Sequence, residues 1–184
     1  MFDGTITSVE EYAAWALAER LLAAELPRRW QHVQAVARKA GQLCDAHGLE
    51  RPIVVSAAWL HDIGYASEVA VAGFHPLDGA RYLRFQGWDD RVCRLVAHHT
   101  DAATHAGNLT ETLIAEFETT YGLSSDILWA ADATTGPSGE RFTLDERLAE
   151  IAQRYGSTHQ VTQHMLKSRR ALQDAITRAS AGHL

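Results

Sequence analysis

The stretch from Ile53 to Leu60 is apolar nearly all round and runs straight into His61-Asp62-Ile63-Gly64. Pro52 suits the first turn of a helix, so the run predicts a helix without a polar face. Such a helix must be enclosed by others on every side, which points to a helical bundle with this segment at its centre. Its end then delivers a histidine and an aspartate. A buried, unpaired carboxylate is costly, so Asp62 needs a cation or several donors. Adjacent helical residues point about 100° apart. Both can reach one point if it lies off the helix end, where Gly64 lets the chain turn away. Imidazole plus carboxylate is metal-ligand chemistry, and a carboxylate can bridge two ions.

The rest of the chain can supply the enclosing helices. Thr7 or Ser8 caps a first helix to about Leu26, with Glu10 and Glu11 in its first turn. Its inner face reads as Tyr12, Trp15, Ala16, Glu19, Leu22, Ala23 and Leu26, with Glu19 the exception. A second runs from about Arg28 to His47, with Gly48 as its stop. Val33, Val36, Ala37, Ala40, Leu43 and Cys44 make its stripe, and His32 shares that face near the start. His75 stands at the cap of a helix that Pro76 begins and Gly87 ends. Asp89 caps the next, in which Val92, Leu95, Val96 and His99 fall at i, i+3, i+4 and i+7. That spacing makes His99 the inner residue, although His98 reaches inward if the helix ends there. Asn108 with Glu111 resembles a capping box for a short helix ending near Tyr121-Gly122. Ser124 or Ser125 caps another, which carries Asp132 among Ala130, Ala131 and Ala133.

A Gly/Pro/Ser loop spans Thr134 to Phe142. Thr143-Leu144-Asp145-Glu146 is a capping box, followed by the stripe Leu144, Leu148, Ile151, Ala152 and Tyr155. A last helix runs from about Ser157 to Ala179. His105, His159, His164 and His183 read as solvated or terminal. Strand-like alternation is lacking. The expectation is an all-α bundle of about seven or eight helices in one domain over 1–184, with its motif-bearing core at 28–135 and a helical C-terminal extension at 143–180.

Composition narrows the function. At 184 residues the chain can bury a sizeable core, and 46% hydrophobic with 22% charged residues reads as a soluble protein. A net charge of -6 argues against a broad nucleic-acid surface. Cys44 and Cys93 form no C-x-x-C pair and read as reduced core thiols. No signal peptide or membrane span is visible, so the cytoplasm is the expected compartment. The terminal helices offer faces on which two copies could pair as a homodimer. Six of the ten histidines fall between His32 and His99.

Five separate segments therefore offer a buried or helix-end ligand: His32, His61 with Asp62, His75, His98 or His99, and Asp132. One bundle core cannot satisfy so many polar groups without a shared partner, and a metal site is such a partner. The order H…HD…H…HH…D, with His61-Asp62-Ile63-Gly64 and Phe74-His75-Pro76-Leu77-Asp78-Gly79-Ala80, resembles the HD-domain superfamily of metal-dependent phosphohydrolases. The resemblance covers His32 to Asp132. It implies His32, His61, Asp62 and Asp132 as ligands of a core metal. It implies His75, His98 and His99 as the extra histidines of two-metal members, with Asp62 as the bridge and Asp62 and His61 central to catalysis. Many two-metal relatives carry a lysine just after the His-Asp-Ile-Gly turn; Tyr65 stands there instead. The Gly-Tyr-Pro signature of cyclic-dinucleotide phosphodiesterases is absent.

Imidazole and carboxylate suit one or two divalent Mn, Fe, Zn, Co or Ni ions. Two ions about 3.5–4 Å apart would activate a water and clamp a phosphoryl group. The expected substrate is a small phosphate ester, a nucleotide above all. Arg29, Tyr65, Arg141 and Arg147 are the candidate substrate contacts, since arginine forks suit phosphate. Arg81 and Arg84, which follow His75, are weighed the same way against a solvated helix face. Two other readings stay open: a mixed-valent di-iron oxygenase on the same scaffold, and a non-catalytic, metal-stabilised module that binds a nucleotide or a partner.

Overall fold

A computed structural model describes residues 6–49, 51–119 and 121–181; His183 lies outside them. Among the described residues the chain is all-α and has no β-strand. The helices are α1 (Val9–Leu22), α2 (Pro27–His47), α3 (Arg51–Leu60), α4 (His75–Phe85), α5 (Asp90–Ala97), α6 (Thr110–Glu116), α7 (Leu123–Ala133), α8 (Leu144–Tyr155) and α9 (Gln160–Ser180). Tight 3-10 turns occupy Ile63–Tyr65, His99–Thr104 and Gly107–Leu109. Among the described residues the nine α-helices exceed the seven or eight expected, although each corresponds to a segment read in the sequence. No helix among the described residues is long and apolar enough to cross a membrane.

The enclosure demanded by the apolar run is met. Val54 to Leu60 are all buried, and α3 packs against α1, α2, α5 and α7. The stripe of α2 is buried from Val33 to Cys44, and the helix stops at Gly48 in the left-handed conformation, φ 62°. Ser8 caps α1 by accepting from the Glu11 amide, and Thr143 and Glu146 close a full capping box on α8.

Local predictions fail in four places, each for a physical reason. The inner face of α1 is Glu11, Ala14, Ala18, Leu21 and Leu22 rather than the Tyr12 face. Glu11 is 0% exposed. It tolerates this because Thr7 donates to it from its amide and hydroxyl, both at 2.9 Å, and Arg51 lies 3.2 Å away. The capping box on Asn108 does not form; a 3-10 turn leads into α6, which ends at Glu116. Gly122, at φ 140°, leads into α7 ahead of Ser124 and Ser125. His75 is the first residue of α4, with Phe74 at the cap.

Candidate metal centre

Two triads of ligand atoms meet where α2, α3, α4, α7 and the turn after α5 converge. His32, His61 and Asp132 form one, and Asp62, His75 and His99 the other, with all ligand atoms of each triad within 4.8 Å of one another. Asp62 stands between them. Its Oδ2 lies 3.4 Å from His61 Nε2 and 3.8 Å from His32 Nε2, and its Oδ1 lies 3.5 Å from His75 Nε2. The carboxylate that ends the central helix thus turns one oxygen to each triad.

The backbone fixes which nitrogen each imidazole presents. His61 Nδ1 donates to the Ala58 carbonyl at 2.8 Å, His99 Nδ1 to Val96 at 2.7 Å and His32 Nδ1 to Gly136 at 3.0 Å. A carbonyl only accepts, so each Nδ1 carries a proton and each ring directs its Nε2 inward, the nitrogen that a metal would take. The protein satisfies the inward atoms only in part: His32 Nε2 pairs with Asp132 Oδ1 at 3.0 Å. His61 Nε2 is fully buried and lacks a hydrogen-bond partner, and the Nε2 atoms of His75 and His99 face each other at 3.1 Å. Converging imidazole nitrogens and carboxylate oxygens without a thiolate are the donor set of a divalent transition ion, which these residues could hold.

Electrostatics agree with the geometry. Burial alone would raise the Asp62 carboxyl, but the Arg29 guanidinium and the His61 ring outweigh it and hold the group well below the usual range. Burial is likewise overcome at Asp132, chiefly by its bond to His32. At His61 burial opposes the charged form, yet Asp62 and Asp132 prevail and lift the imidazole to about 9. His75 and His99 go down, first through burial and then through a neighbouring imidazole. The site therefore keeps two ionised carboxylates beside a charged His61 ring, whose proton a bound ion would displace, with His75 and His99 neutral.

Gly64 has a different part from the one its sequence position predicts. Its φ is not in the left-handed range. A Cβ there would lie 2.0 Å from the His75 carbonyl oxygen, so glycine lets the start of α4 approach the His-Asp turn. That close approach brings His75 to Asp62.

The other expected residues divide. His98 turns away from both triads and donates from Nε2 to the Phe117 carbonyl at 2.7 Å, while Trp129 donates to its own carbonyl at 2.9 Å. Arg29, one turn before His32, donates from Nη1 to Asp62 Oδ2 at 2.7 Å. Tyr65 lies under that guanidinium. A cleft of about 840 Å³ opens over the triads, with Arg29, Tyr65, His105, Arg147, Tyr155 and Met165 among its walls. Arg147 also pairs with Glu150. Arg141 is exposed on the loop after α7 and does not line the cleft. Arg81 and Arg84 are taken up by α6 and its end, bonding the Glu116 carboxylate and carbonyl.

Two contributors escape a sequence reading. Thr100 and Asp101 adopt positive φ, 51° and 59°. This turn places the Thr100 hydroxyl on Asp132 Oδ2, and Ser168 of α9 donates to Asp101 at 2.7 Å. Aspartate visits the left-handed region more readily than most residues but threonine does not, so nothing local marks the turn at Thr100. His105, expected in solvent, is half-buried in the cleft wall and stacks on His164 with centroids 5.0 Å apart. Its position depends on α9, which is remote in sequence.

Comparison with known proteins gives consistent relatives. A ribonuclease Y of Rhodopirellula baltica is 29% identical over 138 residues, covering 71% of this chain and 24% of that protein. A ribonuclease Y of Acidothermus cellulolyticus is 29% identical over 140 residues, covering 71% and 25%. A tRNA (cytidine(56)-2'-O)-methyltransferase of Picrophilus torridus is 35% identical over 72 residues, covering 39% and 20%. The chain thus spans a quarter or less of the length of these relatives. No solved structure matches it significantly. The family model described as HD domain matches residues 29–158, well over half of the chain, and the chain belongs to the HD domain family.

Proposed function

We propose that the protein is a metal-dependent phosphohydrolase acting on a small phosphate ester of nucleotide size. The observation that carries this is Asp62, which turns one carboxylate oxygen to each of two His/Asp triads under a single cleft. His32, His61 and Asp132 would hold one divalent ion, His75 and His99 a second, and Asp62 would serve both. Ions held there would supply an acidified water as nucleophile and polarise the phosphoryl oxygens.

The chain's own groups do the rest. The carbonyls of Ala58, Val96 and Gly136 hold the rings in the tautomer that binds metal. Thr100 fixes the rotamer of Asp132. Arg29 and Arg147 reach the cleft as cations for phosphate oxygens. Phe74 and Tyr155 add aromatic surface to its walls against which a planar base can pack. The name ribonuclease Y denotes cleavage of RNA phosphodiesters. A net charge of -6 and a cleft of about 840 Å³ favour a small ester over a long strand for this chain.

The test is metal analysis of the purified protein followed by product analysis for hydrolysis of mono-, di-, cyclic and dinucleoside phosphates with Mn, Fe, Zn, Co or Ni, inorganic phosphate being the product from terminal phosphates and a nucleoside monophosphate from the cyclic and dinucleoside diesters. Hydrolysis of at least one class, lost in Asp62→Ala, is expected. A metal-loaded protein that hydrolyses none refutes the proposal. Oxygen uptake with a di-iron signal would replace it by the oxygenase reading.

A further inference from the structure

Three side chains form a continuous stack at the edge of the metal centre. The Arg29 guanidinium carbon lies 4.1 Å above the Tyr65 ring centroid. The other face of Tyr65 lies on the His75 imidazole, with centroids 4.0 Å apart and planes 19° from parallel. The two ends of the stack touch the same carboxylate from opposite sides: Arg29 Nη1 is 2.7 Å from Asp62 Oδ2, and His75 Nε2 is 3.5 Å from Asp62 Oδ1. The ring in the middle is therefore the one surface that both a candidate phosphate cation and a candidate metal ligand rest on.

We infer that Tyr65 is a positioning residue that works through its ring. It holds the Arg29 fork against Asp62 with its remaining N–H groups toward the cleft, and it holds the His75 imidazole at Asp62 and His99. The inference rests on the phosphohydrolase reading for the identity of the anion that Arg29 meets.

Several observations separate the ring from the hydroxyl. Tyr65 is 43% exposed, and among the described residues its hydroxyl has no hydrogen-bond partner. The ring is set by the backbone: Tyr65 closes the 3-10 turn after the central helix, its amide donating to the Asp62 carbonyl at 3.1 Å. Gly64, with no side chain, brings the His75 backbone against that turn. Arginine is long and flexible, and an aromatic face under a guanidinium removes much of its freedom. Asp62 takes one N–H of the five, and it is the one hydrogen-bond partner of Arg29 among the described residues. The rest of the fork is free to meet a bidentate anion in the cleft, of which Arg29, at 33% side-chain exposure, forms a wall. Position 65 thus supplies no charge itself but a platform beneath one.

The experiment compares Tyr65→Phe, Tyr65→Leu and Arg29→Gln in the full chain, each checked for folding by circular dichroism. Metal stoichiometry is measured by elemental analysis. Binding of inorganic phosphate to the metal-loaded protein is measured by calorimetry. Tyr65→Leu should weaken phosphate about tenfold, the order of a lost cation–π contact, and should lower occupancy of the ion that His75 would hold. Tyr65→Phe should restore both to within about twofold. Arg29→Gln should weaken phosphate while keeping the metal count. The inference is overturned if Tyr65→Phe is as damaging as Tyr65→Leu, since the hydroxyl would then be responsible. It is equally overturned if Tyr65→Leu matches the unaltered protein in both measurements. Metal count and phosphate affinity are read without turnover, so an inactive protein would refute the phosphohydrolase reading and still test the stack.

Discussion

Gly64→Ala should unmake half of the metal centre while leaving the helices in place. The added Cβ would lie 2.0 Å from the His75 carbonyl oxygen, 2.7 Å from its carbon and 2.8 Å from its Cα. All three are backbone atoms, so no rotamer change can relieve the contact. Reaching even 3.0 Å requires the start of α4 to move by about 1 Å. Metal sites tolerate about 0.2 Å in ligand position, so the displacement is about five times what His75 can absorb. Overpacking costs about 1–3 kcal/mol, and the backbone target puts this case at the upper end. For a chain of this size about 3 kcal/mol lowers Tm by about 6–12 °C. The assay is thermal unfolding with and without Mn or Fe, alongside metal analysis. The variant should melt earlier, retain helical circular dichroism and lose stabilisation by metal. Gly48→Ala is the control: its φ is 62°, nothing lies within 4 Å of the added carbon, and about 1–2 kcal/mol of backbone strain should leave metal binding intact. A Gly64→Ala protein with unchanged Tm and a full metal complement would falsify the idea that this glycine sets the ligand geometry.

The paired histidines should separate cleanly. His99→Ala should lower the metal count with little loss of helicity, whereas His98→Ala should keep the count and cost about 1–3 kcal/mol by orphaning the Phe117 carbonyl; metal analysis and denaturant melts on both variants distinguish these outcomes. His105 predicts an acid-sensitive fold. Burial, then His164 and His99, push it down to about 4, so the unfolded chain takes up a proton near the ordinary 6.5 while the folded one resists. Stability present above about pH 6.5 is then lost as pH falls towards 4, by at most about 3 kcal/mol and nearer 1–2 after allowing for partial exposure. Melting His105→Phe across that interval should give a flatter curve than the unaltered protein, and an equally steep curve refutes the assignment.

How much of this was legible in the sequence depends on how each residue is placed. His32, His61, Asp62, His75, His99 and Asp132 sit on helical faces or at helix ends, where apolar spacing reports which way a side chain points. The structure brings all six together, and the same spacing had favoured His99 over His98. Periodicity misled at α1 because it treats a glutamate as an outward residue. Glu11 is inward, and the Thr7 bonds together with Arg51, forty positions later, make that tolerable. Thr100 was invisible because its role comes from a left-handed turn that threonine does not favour. Gly64 was visible but for the wrong property, since its neighbour His75 lies eleven positions on and space, not φ, is what it provides.

Tyr65 shows where a one-dimensional reading stops. As a letter it is an absence, the place where the resemblance leads one to expect a lysine. Arg29, thirty-six positions earlier, is as a letter one basic residue at a helix start. Only the packing of α2 against the end of α3 lays one on the other and both beside Asp62. A cation on a helix is reoriented by whatever supports it, so moving the charge from the turn to α2 makes its direction depend on the ring at position 65. A chain built this way should tolerate any aromatic residue at 65 and no aliphatic one. A cation placed directly on the turn would make the opposite demand.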